Sequence, residues 1–171
     1  MAKRTPKPPF KPLQDYHEVV PGIGLIQEKL IGRFVVEFSK LEAGLNDMIW
    51  LLLDLDMSDG RVLTQRSDAT TKINILRAIV PRYLEGKDLE TTLEALTRLD
   101  DVRDDRNFII HGTWGSLHPT GVAIALSLRA KSETPDLITA ETFPHARMRK
   151  LINSCLELNA HFKFLYDKLK A

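Results

Sequence analysis

A chain of 171 residues with 43% hydrophobic content suits one domain with a sizeable core, and it argues against disorder over most of its length. The formal net charge is +1, so no global field points to nucleic acid, and any such case rests on local patches. A single cysteine, Cys155, excludes an intrachain disulfide and fits a reducing cytoplasm. No apolar run reaches the ~18 residues of a membrane span, and the N-terminus lacks the apolar stretch of a signal peptide.

Residues 1 to 22 read as a basic, proline-rich arm. Lys3, Arg4, Lys7 and Lys11 stand among Pro6, Pro8, Pro9 and Pro12, with no acid before Asp15. Proline fixes φ and removes a donor, so the arm is expected to be extended. Its cations suit a phosphate backbone, a solvated tail or a strap over a neighbour. Residues 23–171 are expected to form one helical domain.

The first long helix is expected over 24 to 56. Ile26, Leu30, Phe34, Phe38, Leu41, Leu45, Met48 and Leu52 recur at spacings of three and four, and Ile31, Val35, Ile49 and Leu53 widen the face. Gly32 and Gly44 are poor helix residues and mark close approach of another helix. Asp56, Ser58, Asp59 and Gly60 end the segment as a turn. A second helix, about 69 to 84, starts at Ser67 or Asp68 as N-cap and buries Ile73, Leu76, Ile79, Val80 and Tyr83. Pro81 predicts a kink or an early end, and Gly86 closes the segment. Asp88 is expected to cap a third helix, about 89 to 111, with Leu89, Leu93, Leu96, Leu99 and Val102 as its stripe. Gly112 is expected to stop it in the left-handed conformation.

From about 113 to 142 the pattern becomes β-like. Val122, Ile124, Leu126 and Leu128 alternate with Ala123, Ala125, Ser127 and Arg129. Pro119, Thr120 and Gly121 turn the chain back from a shorter strand at 114 to 118, and a third short strand falls at 137 to 142. Pro144 then suits the first position of a last helix, about 144 to 169, whose core face is Met148, Leu151, Ile152, Cys155, Leu158, Phe162, Leu165 and Leu169. The fold expected is all-α: a four-helix bundle with a small β-hairpin or meander inserted between the third and fourth long helices.

The chemistry concentrates in Arg103-Asp104-Asp105-Arg106-Asn107-Phe108-Ile109-Ile110-His111-Gly112, at the end of the third helix. Histidine titrates near neutral pH and serves as general base or acid. Arginine's fork matches phosphate oxygens, and asparagine can orient a ribose, a phosphate or an imidazole. The helical repeat of 3.6 puts Asn107 and His111 one turn apart, with Arg103 on the same side, but carries Arg106 about 140° away from His111. Either the helix breaks near His111, or Arg106 faces a second copy across a dimer axis.

Arg106, Asn107 and His111, in the order Arg, polar residue, three more residues, His, resemble the active-site signature of the HEPN family of small helical domains. The resemblance covers residues 24 to 170 as an architecture, and the motif itself is short. It implies a HEPN-like bundle and a metal-independent endoribonuclease of the kind found in defence or toxin–antitoxin settings. Arg106, Asn107 and His111 would be catalytic in two protomers paired as a homodimer around one composite cleft. RNA and an antitoxin or other protein are the partners implied; no cofactor, metal or membrane is. Arg103 and Trp114 are added as RNA-binding candidates, Trp114 as a base-stacking wall three residues past His111. The inserted strands depart from the simplest form of the family.

The plainer reading is a solvated helix face with local ion pairs and a histidine favoured by the helix dipole. On that reading the chain is a non-catalytic HEPN-like module binding RNA, a nucleotide or a protein partner. Asp100, Asp101, Asp104 and Asp105 favour it by lowering the potential where a polyanion must approach. Elsewhere, Glu42 and Asn46 lie one turn apart as a minor polar pair, and His17, His118, His145 and His161 have no metal-ligand spacing. No phosphate-binding glycine motif and no nucleophile elbow occurs.

Overall fold

The three-and-four spacing of apolar residues after Gly24 is realised as a helix, α1, over Leu25–Leu52. A computed structural model of the protein describes residues 11–12, 19–127 and 139–171. In them α1 is followed by α2 (Met57–Thr64), α3 (Ala69–Ile79) with a 3-10 turn at Val80–Arg82, α4 (Gly86–His111) and α5 (His145–Lys170). The strands are β1 (Lys11–Pro12), β2 (Val19–Pro21), β3 (Thr113–Leu117), β4 (Val122–Ser127) and β5 (Thr139–Thr142). They form one antiparallel sheet in the order β1-β5-β4-β3-β2. The protein is therefore mostly helical, with a small sheet whose strands β3, β4 and β5 lie between α4 and α5 in the chain. Among the described residues the α-helices number five rather than four, and β1 and β2 come from the N-terminal arm. No helix of the described residues is long and apolar enough to cross a membrane. Lys3, Arg4, Lys7 and His17 lie outside the described residues.

The chain divides into two compact units, Phe34–Arg103 with Leu151–Ala171, and Met1–Arg33 with Asp104–Lys150. The first is helical. Its core holds Phe34, Leu41, Leu45, Ile49, Ile73, Leu96, Leu99 and Cys155, all fully buried, with Leu158 beside them at 1% exposure. Burying side chains of this size contributes about 1.5–3 kcal/mol each. Burial, followed by the neighbouring Glu37 charge, pushes the Cys155 thiol up to about 12, so it behaves as a small apolar group.

Asp56 does not end a turn there. Its carboxylate accepts from Ser58 N at 2.7 Å and Asp59 N at 2.9 Å and so caps the short helix α2. Gly60 belongs to that helix and must be glycine, because a Cβ there would lie 2.6 Å from the Trp50 ring. The Trp50 indole N–H donates to Thr64 Oγ1 at 3.2 Å. Asp68 caps α3 through Thr71 N, and the helix tightens into the 3-10 turn at Pro81, as the proline predicts. Tyr83, expected inside, is 49% exposed because it falls beyond that turn. Helix α4 starts at Gly86 (φ +54°), three residues earlier than expected; Asp88, expected as its cap, sits in its first turn and pairs with Lys168.

The second unit contains the sheet. Val19–Pro21 pairs with β3, and Trp114 lies opposite Ala125 in the β3–β4 hairpin. Gly121 (φ +67°) closes the hairpin by donating to Leu117 O. Ala123, Ile124 and Ala125 are buried in succession, so both faces of β4 are covered and its alternation does not mark a single core face. Leu128, Arg129, Leu137 and Ile138 lie outside the described residues.

Three glycine readings change. Gly32 and Gly44 have open space where a Cβ would stand, so neither marks a close helix approach. Gly112 is not among the residues with positive φ. It is required by crowding instead: a Cβ would lie 2.5 Å from Phe108 O and 3.0 Å from Ala125 Cβ. Ile26, placed on the α1 stripe, is 57% exposed. Pro144 precedes α5 rather than opening it, and its carbonyl accepts the Met148 N–H at 3.1 Å.

Candidate functional site

Helix α4 holds its α-helical form through His111 because its last carbonyls find donors. Gly112 N–H reaches Phe108 O at 2.8 Å, and the Trp114 indole N–H reaches Ile109 O at 3.0 Å. The tryptophan ring also meets Phe143 in a tilted contact with centroids 5.4 Å apart. Trp114 thereby fastens the strand that follows to the helix end.

This continuity makes the angular separation of Arg106 and His111 real, yet the two side chains meet. Arg106 Nη1 lies 3.5 Å from His111 Nε2 and 3.4 Å from Asn107 Oδ1. The reach of the arginine side chain closes the gap, with neither a helix break nor a second copy. Both distances are long for hydrogen bonds, so the cluster is held loosely. His111 is exposed, whereas Arg106 and Asn107 are half-buried.

The acids beside the motif are engaged. Arg147, from the first turn of α5, donates to Asp105 Oδ1 at 2.7 Å and to Thr142 O at 2.8 Å, and it pairs with Glu141. Its guanidinium sits 4.3 Å from the centre of the Phe143 ring. Burial opposes the Arg147 charge, but Asp105 and Glu141 outweigh burial and hold the guanidinium above its ordinary range. Sequence reasoning missed Arg147. It stands 42 residues from Asp105, and no local spacing links them.

Arg103 belongs to the helical unit. Its Nη1 donates to Thr70 Oγ1 at 2.6 Å and lies 3.3 Å from Asp100, which also pairs with Arg77 at 2.7 Å. Sequence spacing grouped Arg103 with Asn107 and His111; its guanidinium is instead committed to Thr70 and Asp100. Among the described residues, no group of three or more His, Cys, Asp or Glu side chains gathers as a metal ligand set.

No protein-family model matches this chain, and neither do any curated protein or any solved structure.

Proposed function

We propose that this chain is a metal-independent endoribonuclease of HEPN type, with its helices forming a HEPN-like bundle and Arg106, Asn107 and His111 its active site. The observation that supports the reading is the meeting of these three side chains at the end of α4, His111 exposed and Arg106 and Asn107 half-buried. An arginine can only donate, so its contact with His111 Nε2 favours the tautomer whose Nε2 is bare. That nitrogen can take the proton from an RNA 2′-hydroxyl. The freed oxygen attacks the adjacent phosphorus and forms a 2′,3′-cyclic phosphate. The bond to the 5′-oxygen breaks, and that oxygen is protonated from water. Arg106 stabilises the charge gathering on the phosphoryl oxygens, and Asn107 orients the reacting groups. The pairing of Asp105 and Glu141 with Arg147 favours approach of a polyanion, since it neutralises acid close to the motif.

A defence or toxin–antitoxin setting, with an antitoxin or other protein as partner, and pairing as a homodimer belong to the same proposal and rest on the motif. The competing reading is a non-catalytic module of the same fold that binds RNA, a nucleotide or a protein. Asp100, Asp101, Asp104 and Asp105 favour it; the RNA-binding candidates Arg103 and Trp114 donate to Thr70 Oγ1 and to Ile109 O within the chain.

The test is cleavage of a mixed RNA pool by wild type and by His111→Ala of matched thermal stability. Cleavage by wild type, with 2′,3′-cyclic phosphate ends and no effect of EDTA, is expected. Loss of an acid or base lowers such rates by about 10²–10⁴-fold. Equal cleavage by both proteins, or none by wild type, overturns the enzymatic reading.

A further inference from the structure

Arg106, Asn107 and His111 occupy the last two turns of α4. A helix end leaves its final carbonyls without helical partners and frays unless other groups tie it down. The contacts among the three side chains, at 3.4 and 3.5 Å, are too long to fix their geometry. Their relation to one another is therefore set by the backbone turn that carries them.

That turn is gripped on both sides. Before it, Arg147 Nη2 donates to Asp105 Oδ1 at 2.7 Å. After it, the Trp114 indole N–H donates to Ile109 O at 3.0 Å. Asp105 and Ile109 are four residues apart, about one helical turn, and Arg106 and Asn107 lie between them. The two grips share one support. Phe143 is fully buried, and its ring centre lies 4.3 Å from the Arg147 guanidinium and 5.4 Å from the Trp114 ring. Arg147 is fixed in turn by Thr142 O, at 2.8 Å from Nη1, and by Glu141. The Asp105–Arg147 pair is shielded from water, with the two side chains 15% and 30% exposed, so it holds more firmly than an open surface pair. Only a planar fork reaches Asp105, Glu141 and Thr142 O at once; a lysine ammonium does not. All of these groups belong to the unit that contains the sheet.

We propose that Arg147 is a positioning residue, which rests on the reading of Arg106, Asn107 and His111 as an RNase site. With Phe143 and Trp114 it clasps the turn of α4 that carries the motif. The clasp sets where Arg106 and His111 stand toward the scissile phosphate, and Arg147 itself touches no substrate.

The experiment joins two measurements on the full chain, amide hydrogen exchange without RNA and steady-state cleavage of one RNA. Arg147→Met combined with Glu141→Gln removes one cation and one anion, so the formal charge of the region is unchanged. Trp114→Phe, an independent variant, keeps a ring for Phe143 but removes the N–H that holds Ile109 O. Each is expected to speed exchange at the amides of residues 107 to 111 about tenfold, while the Ile124 and Ala125 amides of β4 keep their protection. Glu141→Gln alone leaves Asp105 held and is expected to change neither. The two loosened variants are expected to lower kcat about 10–100-fold with KM within about twofold, since a displaced donor costs catalysis rather than binding. Exchange at 107 to 111 unchanged in both variants overturns the clasp. So does equal loss of protection in β4, or a rise in KM with kcat unchanged. Failure of wild type to cut RNA overturns the RNase reading and with it the role of Arg147, whereas wild-type cleavage with exchange and kcat unchanged in the variants overturns the clasp alone.

Discussion

Arginine and histidine meet in this protein with the arginine as the only certain donor, and that fixes what each can contribute. On the proposed reading, His111 acts through a bare Nε2 and Arg106, 3.5 Å away, supplies charge to the same phosphate. If they act on one transition state, their contributions are not independent. Arg106→Ala and His111→Ala are each expected to cost about 10²–10⁴-fold in cleavage rate, with the double variant little worse than either. Single-turnover rates on one RNA measure this, and a double variant slower by the product of the two effects would show separate roles.

A second histidine carries a consequence for stability. His161 is held below its ordinary range by burial and then by Arg98, and its Nε2 lies 3.3 Å from Thr92 Oγ1. The folded state therefore resists protonation that the unfolded chain accepts. Stability should be retained above the unfolded value near 6.5 and fall as pH drops through it toward the lower folded value. The urea midpoint is expected to fall between about pH 7.5 and 5.5, and to fall less in His161→Gln. Equal falls in both proteins would place the sensitivity elsewhere.

At the scale of elements, glycine separates what spacing reveals from what packing decides. Gly32, within α1, faces open space, so Gly32→Ala should gain about 0.5–1 kcal/mol from helix propensity. Gly112→Ala must push a Cβ against Phe108 O and Ala125, and should lose about 1–3 kcal/mol. Chemical denaturation measures both; a neutral Gly112→Ala would mean that the helix end yields. The long helices were legible in the chain because their apolar stripes repeat over many turns, and Leu45, Leu96, Leu151 and Leu158 are buried as those stripes predict. Helix α2 was not legible. It spans eight residues, buries only Gly60 and Thr64, and is held by Trp50 across the turn. The residues that open it, the cap Asp56 and the first turn to Gly60, carry the composition of a plain turn.

At the scale of the whole molecule, the described part of the arm joins the sheet through β1 and β2, a pairing that no local pattern announces. The motif itself was legible as Arg106, Asn107 and His111, and their meeting was not. Residue spacing gives angles around a helix axis, whereas the meeting depends on how far an arginine side chain extends beyond it. Its consequence is that one chain brings the three motif side chains together, whether or not copies pair. The most direct measurement mixes Arg106→Ala with His111→Ala protein, after denaturation and joint refolding, and follows RNA cleavage. A site complete within each chain predicts that wild type cleaves and the mixture stays as inactive as either variant alone. Activity regained by the mixture would show that one copy's arginine serves its partner's histidine, and would contradict a site built within a single chain.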